Sequence, residues 1–159
     1  MSNDTKIESQ ISEVGFAVYG EPVPKQRPRT VRNSDKYGRA NVHTYTPSKT
    51  KEHEKKIAYV YKSIYGDFKF EKGVPLLVVV QFFMRMPGSA KKKDEEAMLS
   101  GEMRPTKKPD IDNMLKLVTD ALNGVAFEDD SQIVDTMCKK HWSKEPRTEV
   151  FIARLDNDE

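Results

Sequence analysis

A single cysteine, Cys138, and only three histidines occur in the 159 residues. A lone thiol closes no disulfide within the chain and cannot build a thiolate zinc centre, which fits a reducing compartment. Cys138 and His141 stand three apart in a stretch that reads as a strand, where such positions face opposite sides, so a metal shared between them is disfavoured. His43 and His53 are isolated, no glycine-rich phosphate loop occurs, and Ser48-x-x-Lys51 is a lone match to a nucleophile motif. No run approaches the roughly 18 apolar residues of a membrane span, and the polar opening MSNDTKIESQ has no signal-peptide core. These absences describe a soluble, cytoplasmic protein with no membrane partner and no internal repeat.

What the chain does have is charge of both signs. Lys and Arg number 27 against 25 Asp and Glu, a formal net charge of +2, so any nucleic-acid footprint must come from local clustering rather than the overall balance. The length suits one domain, expected over residues 13–156 behind a polar, frayed segment at 1–12.

Residues 14–20 have the β-branched and aromatic content of a first strand. From Glu21 to Tyr45 no period is visible, which predicts a disordered or functional loop. Thr46-Pro47 reads as a capping hydroxyl followed by proline at the first helical position, and Ile57, Val60, Tyr61 and Ile64 then recur at helical spacing up to Gly66. The run 74–84 is too continuously apolar to have a wet face and predicts a central strand covered on both sides. Lys91, Lys92 and Lys93 precede three acids, an order that opposes the helix macrodipole and predicts a marginal helix. Residues 111–123 form the clearest helix, and strand-like runs at 132–142 and 148–155 suggest a closing hairpin around Lys144-Glu-Pro-Arg147. The fold class is therefore mixed α/β or α+β: one domain with a mixed β-sheet packed by helices.

The chemistry concentrates between Lys107 and Gln132. On a helical wheel Ile111, Met114, Leu115, Leu117, Val118, Ala121 and Leu122 share one broad face, while Asp112, Asn113, Lys116, Thr119, Asp120 and Asn123 line the other, with Gly124 supplying a left-handed stop. A solvated polar face explains that stripe as well as a functional one does. Pro109, however, sets the helix start so that Asp110 and Asp112 flank its mouth, where free amides favour anions. Two residues apart inside a helix, they would point about 200° apart, so convergence on one cation requires Asp110 to lie just outside it. The acids Asp129 and Asp130 follow Gly124 at the entry to a strand, where acids are more often mere turn formers than functional groups. The helix is about 20 Å long, and the six residues from Gly124 span roughly the same distance when extended, so a return of Asp130 to the helix mouth is tight.

The string KPDIDNMLKLVTDALNG followed by DDSQIV resembles the RusA family of Holliday-junction resolvases, whose pattern of KPD-x-DN, lysine, DALNG and DD-x-Q-I it follows almost without gaps. The likeness extends more loosely to the basic stretch 20–29 and to 45–49. By this resemblance Asp110, Asp112 and Asp130 are catalytic metal ligands and Lys116 the catalytic lysine, with Asp129 the nearest competitor of Asp130. Asn113 and Asp120 take supporting roles.

The implied activity is metal-dependent hydrolysis of phosphodiesters in four-way DNA junctions during recombination and repair. Other branched DNA and non-catalytic DNA binding are the alternatives. Three aspartates without histidine or cysteine favour hard cations, Mg²⁺ or Mn²⁺. Lys25, Arg27, Arg29, Arg32, Lys91, Lys92, Lys93, Lys107 and Lys108 are the candidate DNA-holding cations, because an acidic centre repels phosphate unless cations flank it. Two symmetric incisions call for an intertwined or twofold homodimer, for which the exposed side of the 111–123 helix, Val125 and Phe127 are candidate contacts.

Overall fold

The computed structural model describes residues 11–156. Most of the segment expected to fray therefore lies outside the described residues, but Ile11 packs against the core and the Ser12 carbonyl accepts from the Arg154 amide at 2.9 Å. Strand β1 (Glu13–Tyr19) buries Val14, Phe16 and Val18 at alternate positions, the two-residue period of a strand with one face on a core.

The stretch without visible period contains two strands, β2 (Arg29–Ser34) and β3 (Ala40–Tyr45), paired as a separate antiparallel hairpin. Both strands are exposed along their whole length, so no buried face imposes the alternation by which a strand is recognised. Helix α1 (Ser48–Tyr65) starts one residue later than expected: Pro47 is its cap, and it is the Pro47 carbonyl that accepts from Thr50 and Lys51. Ile57 and Tyr61 are buried and Val60 is half-buried, but Ile64 faces solvent. The Tyr61 hydroxyl donates to the Phe68 carbonyl at 2.8 Å, which lets a phenol sit in the core.

Strand β4 (Leu76–Arg85) takes the centre of a four-stranded mixed sheet in the order β1-β6-β4-β5. It runs parallel to β5 (Ile133–Ser143) and antiparallel to β6 (Arg147–Arg154), which in turn pairs antiparallel with β1. The last two strands are thus not a hairpin, because β4, the most apolar strand, lies between them. Nor is β4 covered on both sides. Leu76, Val78, Val80, Phe82 and Met84 are buried, whereas Leu77, Val79, Gln81 and Phe83 on the other face are half-buried.

Helix α2 (Lys92–Ser100) begins so that Asp94 and Glu95 fall in its first turn, where the macrodipole favours them. Buried Met98 and a 3.0 Å Glu95–Lys144 ion pair hold it in place, so the helix rests on tertiary contacts rather than on its own propensity.

Helix α3 (Ile111–Leu122) occupies the β4-to-β5 crossover and buries Met114, Leu117, Val118, Ala121 and Leu122 in the core. Its exit is tight: Gly124 adopts the expected left-handed conformation (φ 76°) and its amide donates to the Phe127 carbonyl at 2.8 Å. Phe127 is fully buried in that core, which removes it from the candidate dimer contacts, and Val125 packs half-buried beside it. Phe127→Ala should therefore lower the unfolding free energy by about 3–5 kcal/mol. Urea titration of the two proteins tests this, and a loss under about 1 kcal/mol would show the ring to be a surface residue.

Candidate active site

The amphipathic character of α3 decides what the site is made of. Once its apolar face is buried, Asp112, Asn113 and Lys116 are exposed on the other side, with Asp120 half-buried one turn beyond Lys116. Asp110 is the cap residue, extended (φ −71°, ψ 139°), and its carbonyl accepts from the Met114 amide at 3.2 Å. It lies just outside the helix, the placement that convergence with Asp112 requires. The preceding loop is tied to the sheet by Lys140 of β5, whose ammonium donates to the carbonyls of Lys107 (2.7 Å) and Pro109 (2.9 Å). No periodicity in the sequence signals that lysine.

A chain of alternating charges runs along the exposed side of α3. Glu54 of α1 pairs with Lys25, Lys25 stands 3.1 Å from Asp120, Asp120 lies 2.9 Å from Lys116, and Lys116 is 3.8 Å from Asp130. The Lys25 amide also donates to the Asn113 carbonyl at 2.8 Å, which fastens the N-terminal loop to the helix. Lys25, expected among the DNA-holding cations, is thus engaged by two carboxylates. Partial burial works against the charge of Asp120, but Lys116 and Lys25 outweigh it and hold the carboxyl below its ordinary range. The Asp120 partner in turn holds the Lys116 ammonium above its ordinary value. Lys25 is also raised, because Glu54 and Asp120 overcome the penalty of burial.

The two acids after α3 have different surroundings. Asp129 caps the short 3-10 turn Asp130–Gln132: its carboxylate accepts from the Ser131 amide at 3.0 Å, and that bond holds its pKa down. Asp130 is the member of the pair beside Lys116. Gln132 fixes this geometry. Its carbonyl oxygen accepts from the amides of Glu128 and Asp129, and its amide nitrogen donates to the carbonyls of Glu71 and Val74. The chain therefore returns Asp130 beside the middle of α3, one turn past Asp112, rather than to the mouth. The reversal at Gly124 and the burial of Phe127 remove the need for a six-residue extended span.

The donor set of Asp110, Asp112 and Asp130 has the all-oxygen chemistry that a hard divalent cation takes. Asp110 and Asp130 are partnered by Lys108 and Lys116, each at 3.8 Å, and among the described residues no three Asp, Glu, His or Cys side chains gather closely enough to share an ion. An open cleft of about 470 Å³ adjoins Asp110 and Asn113, with Lys25, Lys49 and Lys108 in its lining. Arg27, Arg29, Arg32, Lys91, Lys92, Lys93, Lys107 and Lys108 are all exposed. Of these the cleft takes in only Lys108, and Arg29 and Arg32 lie on the β2–β3 hairpin.

Asp120 generates a pH prediction. A carboxyl depressed in the folded state contributes stability above its unfolded value, about pH 4, and that contribution is lost as pH falls through the depressed value. The raised lysines behave oppositely, contributing below their ordinary value and losing that contribution above it. Wild type should therefore be more stable than Asp120→Asn at pH 7, and the gap should close below about pH 4. Urea unfolding across pH checks this, and a gap constant down to pH 2 would remove Asp120 from the ion network.

Two comparisons bear on this geometry. The family model described as Endodeoxyribonuclease RusA matches residues 19–153, from the end of β1 to the last residues of β6. A Bacillus subtilis (strain 168) protein, "Uncharacterized protein YqaN", is 42% identical over 146 residues, covering 89% of this chain and 96% of that one. No described helix is long and apolar enough to cross a membrane. The match takes in both strands of the exposed hairpin, the whole of α3 and the turn carrying Asp130, and the chain belongs to the RusA family of endodeoxyribonucleases.

Proposed function

We propose that this protein resolves four-way DNA junctions by paired, Mg²⁺- or Mn²⁺-dependent phosphodiester hydrolysis, in recombination and repair of cytoplasmic DNA. The observation that carries the reading is the arrival of Asp130 beside Lys116 on the same exposed side of α3 that bears Asp112, with Asp110 at its mouth. Asp110, Asp112 and Asp130 are the oxygen donors that would close on the cation as it binds, since they do not converge on one point as they stand, and it would then supply an activated water, neutralise charge on the phosphate and assist the departing oxygen.

The protein's own groups do the rest. Lys116 offers its ammonium, fixed by Asp120, to the phosphoryl oxygens as they gain charge. Asp120 orients that lysine and holds its ammonium above its ordinary range. The lysine-lined cleft beside Asp110 receives the strand entering the site, and the expected ends are 5′-phosphate and 3′-hydroxyl. Asp112→Asn, Asp110→Asn and Asp130→Asn should each abolish cleavage while preserving junction binding, and Lys116→Ala should lower kcat by about 100- to 1000-fold with little change in affinity. Asp129→Ala should instead cut normally and lose about 1 kcal/mol of stability with its cap. A panel of matched junction, flap, fork and duplex substrates measures both rate and preference. Equal cutting of all four would reject junction selectivity, and normal cutting by Asp130→Asn would reject the assignment within the acidic pair.

Paired incision is served by a homodimer, and the open side of the sheet supports one. Gly15, Phe151, Val79 and Met137 lie in register across all four strands there, with Phe151 and Met137 exposed. A second copy meeting this apolar row by a twofold axis would leave both α3 helices on the outside. Met137→Glu placed in that seam should shift the protein toward monomer and turn the products of a supercoiled cruciform plasmid from linear to nicked circles. Sedimentation of wild type as a monomer on and off DNA, with linear product retained in the variant, would overturn the dimer.

A further inference from the structure

The β2–β3 hairpin is the least explained part of the molecule. All twelve of its strand residues are exposed, and a two-stranded ribbon without a buried face is at best marginal in water. It is held by its ladder, by a Thr30–Thr44 side-chain hydrogen bond of 3.2 Å, and above all by its turn. The Asp35 carboxylate accepts from the amides of both Tyr37 and Arg39 at 2.8 Å, the Asp35 amide donates to the Arg39 carbonyl at 3.0 Å, and Gly38 completes the reversal at φ 77°. The tip is thus the best-fixed part of an otherwise unsupported ribbon.

At that fixed tip stands Tyr37, 71% exposed, with the Lys36 ammonium 5.1 Å and the Arg39 guanidinium 5.8 Å from its ring centre. An aromatic ring displayed in water and flanked by cations gains little where it is. The same grouping suits a nucleobase, which stacks on the ring while the cations meet the adjoining phosphates. Charge points to the same occupant: from Arg27 to Tyr45 there are five Lys or Arg residues and one acid, Asp35, whose carboxylate is turned onto the backbone. An acidic protein partner would answer the charge but leave the exposed ring without a purpose.

We propose that the hairpin is a DNA-gripping arm and that Tyr37 at its tip stacks on a base unstacked at the branch point, so that the arm distinguishes branched from continuous duplex DNA. This rests on the reading of the protein as a junction nuclease. Arg29 and Arg32 point to opposite faces of the ribbon, so they hold phosphates on both sides of the arm while the tip reads the break in stacking.

The experiment uses full-length protein, without divalent cation, and a four-way junction with 2-aminopurine beside the branch. Wild type should raise the fluorescence on binding, as the reporter loses the neighbouring base that moves onto Tyr37. Tyr37→Ala should lose that rise and weaken junction affinity by about tenfold more than affinity for a matched linear duplex, whereas Tyr37→Phe should restore both. Arg29→Ala with Arg32→Ala should weaken both substrates and reduce the salt dependence of binding. Unchanged fluorescence and affinity in Tyr37→Ala would overturn the stacking role, and so would equal losses on junction and duplex. Failure of wild type to bind the junction at all would overturn the junction reading together with the arm. Selective binding of the junction by wild type together with unchanged junction binding by Tyr37→Ala would overturn the arm alone. Thermal melting of the variants separates these outcomes from misfolding, since the ring contributes nothing to the core.

Discussion

The burial of one side of α3 against the sheet is the constraint on which the site depends. Met114, Leu117, Val118, Ala121 and Leu122 fix the rotation of the helix about its own axis, and a helix so fixed has no choice about where its polar residues go. Asp112 and Lys116, four residues apart, are neighbours on one side because of that rotation, and Asp120 follows one turn later. The chemistry is thus set by packing on the face that carries none of it.

Electrostatics then completes what packing begins. Four carboxylates within a short reach of one helix would repel one another in a dry site, and the lysines interleave them. Glu54 and Lys25 extend the pattern to α1 and the N-terminal loop, so elements far apart in sequence are registered by the same charges that prepare Lys116. Ion pairs of this kind, partly open to water, add little to stability one at a time. Their larger effect is to fix where the ammonium stands.

Local patterns were legible in the sequence, and long-range ones were not. The polar and apolar sides of α3, the left-handed Gly124 and the position of Asp110 outside the helix all follow from spacing and residue type. Strand pairing did not, because nothing within 132–155 says that β4 will come between β5 and β6. The hairpin at 29–45 escaped for a different reason: alternation is the imprint of a buried face, and this ribbon has none. Within the acidic pair, only the Gln132 hydrogen bonds and the Asp129 cap separate two residues that the motif leaves a single step apart. The anchoring lysine Lys140 is equally silent, since its partners are backbone carbonyls of a distant loop.

The order of the sheet also has a temporal side. All of the acids and the lysine of the site lie before Ile133, yet β4 shares its ladder with β6, and the partner of β1 is β6 as well. On a ribosome the motif emerges whole while the sheet beneath it still lacks the strand that joins its two halves. Because domains settle as units once their distant contacts can form, the nascent chain carries its aspartates and basic arm past the exit tunnel before it has a framework to hold them. The strand that joins the two halves of the sheet therefore follows every acid of the motif, and until it emerges β1 has no strand to pair with, though Phe16 already has the side chain of Tyr61 to rest on.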